Sequence, residues 1–386
     1  MDITKYSYKL SEKDFKEFLK NLKNDSDTIN IFSNFENSYF YCPDKDTNNQ
    51  LIKLHSLNIE FDNIVSNLND YQKNMIKQSF MIDEIQSTNK TENIYSTKTD
   101  IFKLINNKKG IKKNKISSIV NTYRTLDQIK IDNIYSLQGL RNIYDQMMDG
   151  AFEENKDKPD GKYFRKGRVY ITNGMESIHE GFYPEENIIK GINEYIDILK
   201  KEDIDIYLKL VLSHFIIETI HPFYDGNGRF GRFLMSLYFY NENNSLLSYT
   251  LATGINNNKK QYYKSLDKAR NFHSFGCLNK YVYLMLDIYI KKFENTIKHI
   301  KEKQKLKENI PTCPIPLSKT EKNIYNLLFD ATLFTHFGLC NDDIILLTGA
   351  SKKTVITCFN KFYSNNMIKD YMFSKTAYHK LLLNNK

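Results

Sequence analysis

The segment from His221 to Arg232 contains the side chains of this chain whose types and spacing are best suited to chemistry. His221 can accept a proton near neutral pH, and Asp225 offers a hard oxygen ligand that suits Mg²⁺ carrying nucleotide phosphates. Arg229 and Arg232 are three residues apart, so they reach the same side of a helix, where guanidinium groups match phosphate oxygens. The spacing therefore predicts a base, a metal ligand and two phosphate-binding arginines in one short stretch.

Two glycines, Gly226 and Gly228, flank Asn227 in the middle of this stretch and allow backbone conformations closed to other residues. Several N–H groups can then point toward one place at the start of the next helix, where the helix dipole also favours an anion. A calcium loop is excluded, because Ser236 stands at the twelfth position, where a glutamate is needed. A P-loop is excluded because no Gly-Lys-Ser/Thr follows.

Helices on both sides must position this loop. The pattern predicts one helix from about Asp203 to Thr219 and renewed helical periodicity from Arg229 onward. Pro184, followed by two glutamates, predicts the start of another helix that continues to about Lys200. We therefore expect the unit to be a helix, a tight polar loop and a helix.

Residues 160–183 differ from their surroundings. Glycines bracket the β-branched and aromatic run from Arg168 to Thr172, which predicts a small β-hairpin. By contrast, residues 51–92 carry apolar side chains at mostly helical spacing.

Composition limits the class of protein. The chain has 386 residues, 41% of them hydrophobic and 26% charged, which excludes disordered and fibrous classes. Only 15 glycines and 7 prolines favour long helices. The net charge of +9 is weak support for an acidic partner. Five cysteines, without close pairs, predict reduced thiols.

The location of the protein is also predicted from composition. The first residues contain no apolar segment of the signal-peptide type, so we expect a cytoplasmic protein. The most apolar stretch, Leu208–Ile220, contains His214 and Glu218 and is too short to span a bilayer. We expect no membrane association.

A proline-rich stretch divides the chain. Three prolines lie between residues 311 and 316, after a lysine-rich segment. We therefore predict a helical region at 1–95, a core at 96–307, a linker at 308–317 and a separate module at 318–386.

The stretch from His221 to Arg232 matches the signature H-x-F-x-D/E-G-N-G-R-x-x-R of the Fic family at every fixed position. Gly161–Arg165 and Tyr262–Leu266 also resemble the family. The resemblance implies a mainly α fold: a Fic helical core with a small β-hairpin flap, plus a C-terminal winged helix-turn-helix.

The resemblance implies an ATP-binding nucleotidyltransferase that performs AMPylation, the transfer of AMP from ATP to a Ser, Thr or Tyr hydroxyl of a target protein. His221 would deprotonate the hydroxyl, Asp225 would hold Mg²⁺, and Arg232 would bind the γ-phosphate. The remaining phosphate contacts would come from Gly226, Asn227, Gly228 and Arg229. Self-modification is also expected. Another donor, or removal of AMP, stays open as an alternative activity.

Two further sets of residues have predicted roles. Val169, Tyr170, Ile171 and Thr172 resemble the family's flap, which holds a target peptide by strand addition; the alternative is an ordinary structural hairpin. Tyr262 and Tyr263 would border the adenine, or else belong to the core.

An inhibitory helix is predicted ahead of the core. Thr88–Asn93 fits the family's S/T-x-x-x-E-G/N pattern, although Asn89 and Glu92 also fit a helix capping box. By resemblance, Glu92 would pair with Arg232 and occupy the γ-phosphate position, which gives autoinhibition. Glu92 could instead assist AMP removal.

The C-terminal module has a different pattern. It predicts helices at Thr320–Phe329, at Asn341–Thr348 with Asn341 as cap and at Lys352–Ser364, then wing strands at Met367–Tyr371 and Ala377–Leu383. Residues 341–364 could contact DNA phosphates, or the module could serve packing or dimerisation; a homodimer is expected by resemblance only. The alternative function is therefore a DNA-binding regulator.

Overall fold

A computed structural model describes residues 3–106, 114–151, 158–173, 176–308, 310–373 and 375–383. It is mainly helical, which confirms the predicted fold class. The helices are α1 (Ile3–Ser7), α2 (Glu12–Asn24), α3 (Lys45–Ser66), α4 (Asp70–Thr91), α5 (Lys98–Asn106), α6 (Lys115–Arg124), α7 (Leu137–Met148), α8 (Glu185–Lys200), α9 (Ile206–Ile220), α10 (Asn227–Asn243), α11 (Leu251–Asn257), α12 (Lys259–Arg270), α13 (Asn279–Glu308), α14 (Lys319–Phe334), α15 (Asn341–Thr348) and α16 (Lys352–Ser364).

In the part of the chain that the structure describes, three small antiparallel sheets accompany the helices. The strands are β1 (Ile29–Ile31), β2 (Tyr39–Tyr41), β3 (Tyr170–Asn173), β4 (Glu176–Glu180), β5 (Leu339–Cys340), β6 (Ile368–Phe373) and β7 (Thr376–Leu381). Strand β1 pairs with β2, β3 pairs with β4, and the third sheet has the order β5-β7-β6. In the described ranges, no helix has the length and apolar character needed to cross a membrane.

The chain forms two compact units. The first comprises residues 1–59 and 83–294, and the second comprises residues 60–82 and 295–386. The unit boundaries therefore fall inside α3, α4 and α13. The predicted division at 308–317 stays a prediction.

Helix α9 is the centre of the first unit. Almost every residue of α9 is buried, as expected for a helix that is apolar on all sides. Its N-cap is Asp205, whose carboxylate accepts the Tyr207 N–H at 2.8 Å. It ends at His221, which adopts a left-handed conformation with φ 52° and precedes a proline. Helices α8 and α10 pack against it.

Helix α10 begins at Asn227, two residues earlier than the predicted Arg229. The reason is local: Gly226 adopts a left-handed conformation with φ +78°, so the chain turns directly into the helix. The loop is therefore shorter than its polar sequence indicates, and Asn227 and Gly228 belong to the first turn of α10.

The predicted hairpin is observed as β3 and β4. The register shifts between Ile171 and Thr172, so the pairing is irregular at this point. Arg168 and Val169 precede the strand, although the Gly181 N–H donates to the Val169 carbonyl at 3.0 Å and continues the ladder by one step.

From residue 318 onward the second unit contains α14, β5, α15, α16, β6 and β7. The three helices and the two wing strands overlap the predicted positions, although α14 continues to Phe334, beyond the predicted end at Phe329, and β5 was not predicted. Helix α14 starts with a capping box in which the Ser318 N–H donates to Glu321 at 2.7 Å. The prediction of Asn341 as an N-cap is wrong. Cys340 occupies that position, because its N–H donates to the Asp343 carboxylate at 3.2 Å, and Asn341 is the first residue of α15. The identification of this module as a winged helix-turn-helix stays a prediction.

Candidate active site

Aromatic side chains pack against the loop between α9 and α10 and hold its shape. Phe223 is fully buried and stacks on Tyr144, with ring centroids 3.4 Å apart, and the Phe230 ring lies nearly perpendicular to it with a centroid distance of 5.2 Å. The Tyr144 hydroxyl donates to the Asp225 carbonyl at 2.8 Å. Phe223 therefore anchors the loop in the core.

Asn227 closes the loop with its side chain. Its Oδ1 accepts the Phe223 N–H at 2.9 Å, and its Nδ2 donates to the Phe223 carbonyl at 2.8 Å. Both polar groups are thus used within the loop. In this structure Asn227 can contribute to a phosphate site through its backbone N–H, whereas its side chain is structural.

His221 lies at the end of α9 and retains some exposure. Burial of the ring lowers the pKa of His221 to about 3, with the positive charges of Arg270 and Arg165 acting in the same direction. The imidazole is therefore neutral at pH 7, which is the state needed to accept a proton.

Arg165 fixes the position of His221, and the sequence did not assign it a role. It is fully buried, and its Nε donates to the His221 carbonyl at 2.9 Å while Nη2 donates to the Ile220 carbonyl at 3.4 Å. A Cβ on Gly181, just after β4, would overlap Nη2 of Arg165. Arg165 therefore joins the hairpin stem to the end of α9. The only sequence signal was its place in the Gly161–Arg165 motif.

Arg229 is buried with two unsatisfied donors. Its Nη2 lies 3.5 Å from the Met148 sulfur and 3.9 Å from Asp225 Oδ2. Within the described part of the chain, its Nε and Nη1 have no hydrogen-bond partner. Burial lowers the pKa of Arg229, and the Asp225 and Glu92 carboxylates oppose that shift. A buried guanidinium with free donors is costly unless an anion satisfies it, so this arrangement favours anion binding.

Arg232 is buried one turn further along α10 and is fully engaged by α4. Its Nη2 lies 2.7 Å from Glu92 Oε1, its Nε donates to the Thr88 hydroxyl at 2.9 Å, and Nη2 also reaches the Thr88 carbonyl at 3.2 Å. Burial opposes the charge on Arg232, but the Glu92 carboxylate outweighs it and raises the pKa of Arg232 above its usual range. The predicted pair of Glu92 and Arg232 is therefore in contact.

The Glu92 carboxylate also lies directly over the first turn of α10. A Cβ on Gly228 would overlap Glu92 Oε1 and would approach Arg232 Nη1 at 3.0 Å. The capping-box alternative is not observed, because Asn89 lies inside α4 and donates to the Ser96 hydroxyl at 3.2 Å. Glu92 thus occupies the anion-binding end of α10.

Asp225 lies at the mouth of the site with its side chain 48% exposed. Its Oδ1 accepts the Gly226 N–H at 2.6 Å, and its Oδ2 lies 3.9 Å from Arg229 Nη2. The residues that the structure describes include no group of three or more His, Cys, Asp or Glu side chains arranged for a metal. One accessible carboxylate fits Mg²⁺, which usually binds through one or two carboxylates together with substrate phosphates.

The predicted flap residues lie beside this loop. Tyr170 is exposed, and Ile171 pairs with His179, whose Nε2 lies 2.7 Å from the Thr219 carbonyl on α9. Thr172 has its backbone in β3, and its side chain lies outside the described residues. In the described ranges β3 pairs with β4 on one side only, so its other edge is available for a further strand.

The two tyrosines predicted to border an adenine lie in different environments. Tyr262 is fully buried and its hydroxyl lies 2.9 Å from His214 Nε2, so it is a core residue in this conformation. Tyr263 is partly buried and donates to the Thr91 carbonyl at 3.3 Å, next to Glu92. Tyr263 is therefore the one of the pair that borders the site.

Comparisons with known proteins agree with this geometry. Residues 134–239, which include the hairpin, α9, the loop and most of α10, match the Fic/DOC family. The structure is similar to that of a Fic family protein from Desulfovibrio desulfuricans G20, with a TM-score of 0.56 and 17% identity over 90% of this chain and 98% of that chain. Weaker similarity, with a TM-score of 0.47 and 16% identity, links it to Fic-1 (aa134–508) from C. elegans over 67% of this chain and 73% of that one.

The chain therefore carries a Fic/DOC family domain at residues 134–239. Proteins with this domain are commonly enzymes that transfer nucleotide-derived groups to target proteins.

Proposed function

We propose that this protein is an adenylyltransferase that moves AMP from ATP to a hydroxyl side chain of a target protein, itself included, and that Glu92 inhibits it. The observation that carries the proposal is the composition of the loop from His221 to Arg232. A neutral imidazole, an accessible carboxylate and two buried arginines surround the glycine-rich start of α10.

Each residue has a role in that reaction. The target hydroxyl oxygen attacks the α-phosphorus, the bond to the β-phosphate oxygen breaks, and pyrophosphate leaves. His221 takes the hydroxyl proton on its imidazole. The amides at Gly226–Gly228 and the free donors of Arg229 hold the phosphates. Such transfer depends mainly on positioning and charge neutralisation, which these groups are suited to supply.

Asp225 would hold Mg²⁺ together with the phosphates of the nucleotide. When bound, the ion would neutralise charge that develops on the phosphate oxygens. The target peptide would add to the free edge of β3, where main-chain hydrogen bonds place its hydroxyl with little selection for sequence.

Glu92 would act by competition. Its carboxylate already occupies Arg232 and covers Gly228, so a γ-phosphate can reach Arg232 only after Glu92 moves away. While Glu92 stays in place, a bound nucleotide would adopt a position from which AMP cannot be transferred. The contact between two segments of one chain needs only modest strength, because a bias of about 2–3 kcal/mol leaves only about 0.6–3% of molecules open.

The proposal is tested in the Glu92→Gly background, where the pair is removed. His221→Ala should lower AMP transfer by about 10²–10⁴-fold, the usual contribution of a general base. His273→Ala, which removes an exposed histidine on the surface, is the matched control and should leave the rate unchanged. Transfer that survives His221→Ala in a folded protein would refute the role of His221.

A further inference from the structure

Helix α4 and the residue that follows it contact α10 at three points, which are spaced one helical turn apart. Glu84 lies 3.4 Å from the Ser236 hydroxyl, Thr88 holds Arg232, and Glu92 covers Gly228 and pairs with Arg232. The contact residues advance by four along α4 while they recede by four along α10. This is the register of two antiparallel helices that face each other with one contact per turn.

Glu84 makes the most extensive of these contacts. It is fully buried, and its Oε1 accepts the Ala252 N–H at 2.6 Å. Its Oε2 accepts the Thr253 N–H at 2.9 Å and the Thr253 hydroxyl at 3.0 Å. A buried carboxylate with this many charge-assisted hydrogen bonds holds its helix firmly.

The hydrogen bonds from Ala252 and Thr253 to Glu84 satisfy N–H groups in the first turn of α11. Thr250, the N-cap residue of α11, makes no side-chain hydrogen bond to the helix, so the first N–H groups need another acceptor. Glu84 supplies it from a distant part of the sequence. Burial raises the pKa of Glu84, and the amides of Ala252 and Thr253 oppose that shift. Glu84 is thereby an anchor between α4 and α11 that touches none of the residues assigned to phosphate binding.

We propose that Glu84 is a positioning residue for inhibition: its bonds to α11 fix the height and rotation of α4, so that Thr88 and Glu92 meet Arg232. Glu84 precedes Glu92 by two helical turns, about 12 Å along the axis. A helix held at this distance presents Glu92 to Arg232 in one register. The proposal rests on the inhibitory role of Glu92 that is proposed above.

The test is a double-mutant cycle in the full-length chain. Glu84→Gln removes the charge and turns an acceptor into a donor that faces an N–H group. Loss of one charge-assisted hydrogen bond of this kind should raise AMP transfer by about 10- to 100-fold. In the Glu92→Gly background the same substitution should have no further effect. A purely structural role would lower the rate equally in both backgrounds, and that result would overturn the proposal.

A second measurement does not depend on activity. Hydrogen–deuterium exchange of residues 88–96 should become about tenfold faster in Glu84→Gln than in the wild type, while exchange in α8 stays unchanged. Glu194→Gln is the matched control and should leave exchange at residues 88–96 unchanged. Glu194 is a half-buried carboxylate on α8 that accepts the Phe32 N–H. Unchanged exchange at 88–96 in the Glu84 variant would overturn the proposal.

A milder variant guards against loss of the fold. Thr253→Ala removes only the hydroxyl bond to Glu84 and keeps both backbone N–H bonds, so both readouts should shift in the same direction by about threefold. If Glu92→Gly transfers no AMP, the proposed function fails, and the exchange data still decide whether Glu84 positions the end of α4.

Discussion

The effect of Glu92→Gly on the rate of AMP transfer can be worked out from the contacts that Glu92 makes. The substitution removes a carboxylate oxygen 2.7 Å from a buried guanidinium nitrogen and uncovers Gly228. A hydrogen bond to a charged group contributes about 1.5–3 kcal/mol, and every 1.4 kcal/mol changes an equilibrium tenfold. If this pair holds the closed state, the variant should transfer AMP about 10- to 150-fold faster than the wild type.

Two assays measure this effect separately. Incorporation of label from α-³²P-ATP reports transfer, and calorimetry with a non-hydrolysable ATP analogue and Mg²⁺ reports affinity. Both should increase, because the freed Arg232 would then be available to the γ-phosphate, as proposed above. Glu92→Gln, which keeps the shape and removes the charge, should give an intermediate increase.

The matched control removes another ion-paired glutamate. Glu60 on α3 pairs with Lys301 and has a similar exposed fraction to Glu92, 40% against 31%. Glu60→Gly should change neither assay. If Glu92→Gly equals the wild type in both assays, the inhibitory reasoning is wrong.

Three further predictions concern the site. In the Glu92→Gly background, Asp225→Asn should lower transfer about a hundredfold and raise the Mg²⁺ concentration needed for half-maximal rate; an unchanged Mg²⁺ titration would contradict the metal role. Burial lowers the pKa of His221 to about 3, and kcat/KM reflects the enzyme before nucleotide binds, so kcat/KM should be flat from about pH 6 to 8. A midpoint inside that range of the pH-rate profile would count against His221 as the base. Burial raises the pKa of Glu218 to about 7 from 4.5, so the native state loses stability as pH rises from about 4.5 to 7. The free energy of unfolding of Glu218→Gln, measured by urea denaturation and compared with that of the wild type, should therefore be about 2–3 kcal/mol more favourable to the variant at pH 8 than at pH 5. An equal difference between variant and wild type at both pH values would refute the raised pKa.

The local features of the site could be predicted from the sequence because they depend on short spacing. Gly226, Gly228 and the arginines at 229 and 232 lie within two turns, so their types and intervals indicate a loop that enters a helix. The four-residue spacing of Thr88 and Glu92 likewise matches the two groups that contact Arg232. In both cases the spacing of residues over one or two helical turns is enough to predict which side chains lie together.

Contacts between distant segments could not be predicted in this way. Glu84 and Thr253 are 169 residues apart, and Arg165 and His221 are 56 apart. No periodicity connects such pairs, because the fold alone brings them together. The use of the Asn227 side chain to close the loop was also missed, since an asparagine between two glycines serves a phosphate site and a turn equally well.

The central claim is that this chain transfers AMP. Its most direct test compares α-³²P-ATP with γ-³²P-ATP as label donors for the Glu92→Gly protein with Mg²⁺, in buffer and in host lysate. We expect protein-bound label from the α-labelled nucleotide alone, together with released pyrophosphate. Label from the γ-position would indicate phosphate transfer and would contradict AMP transfer.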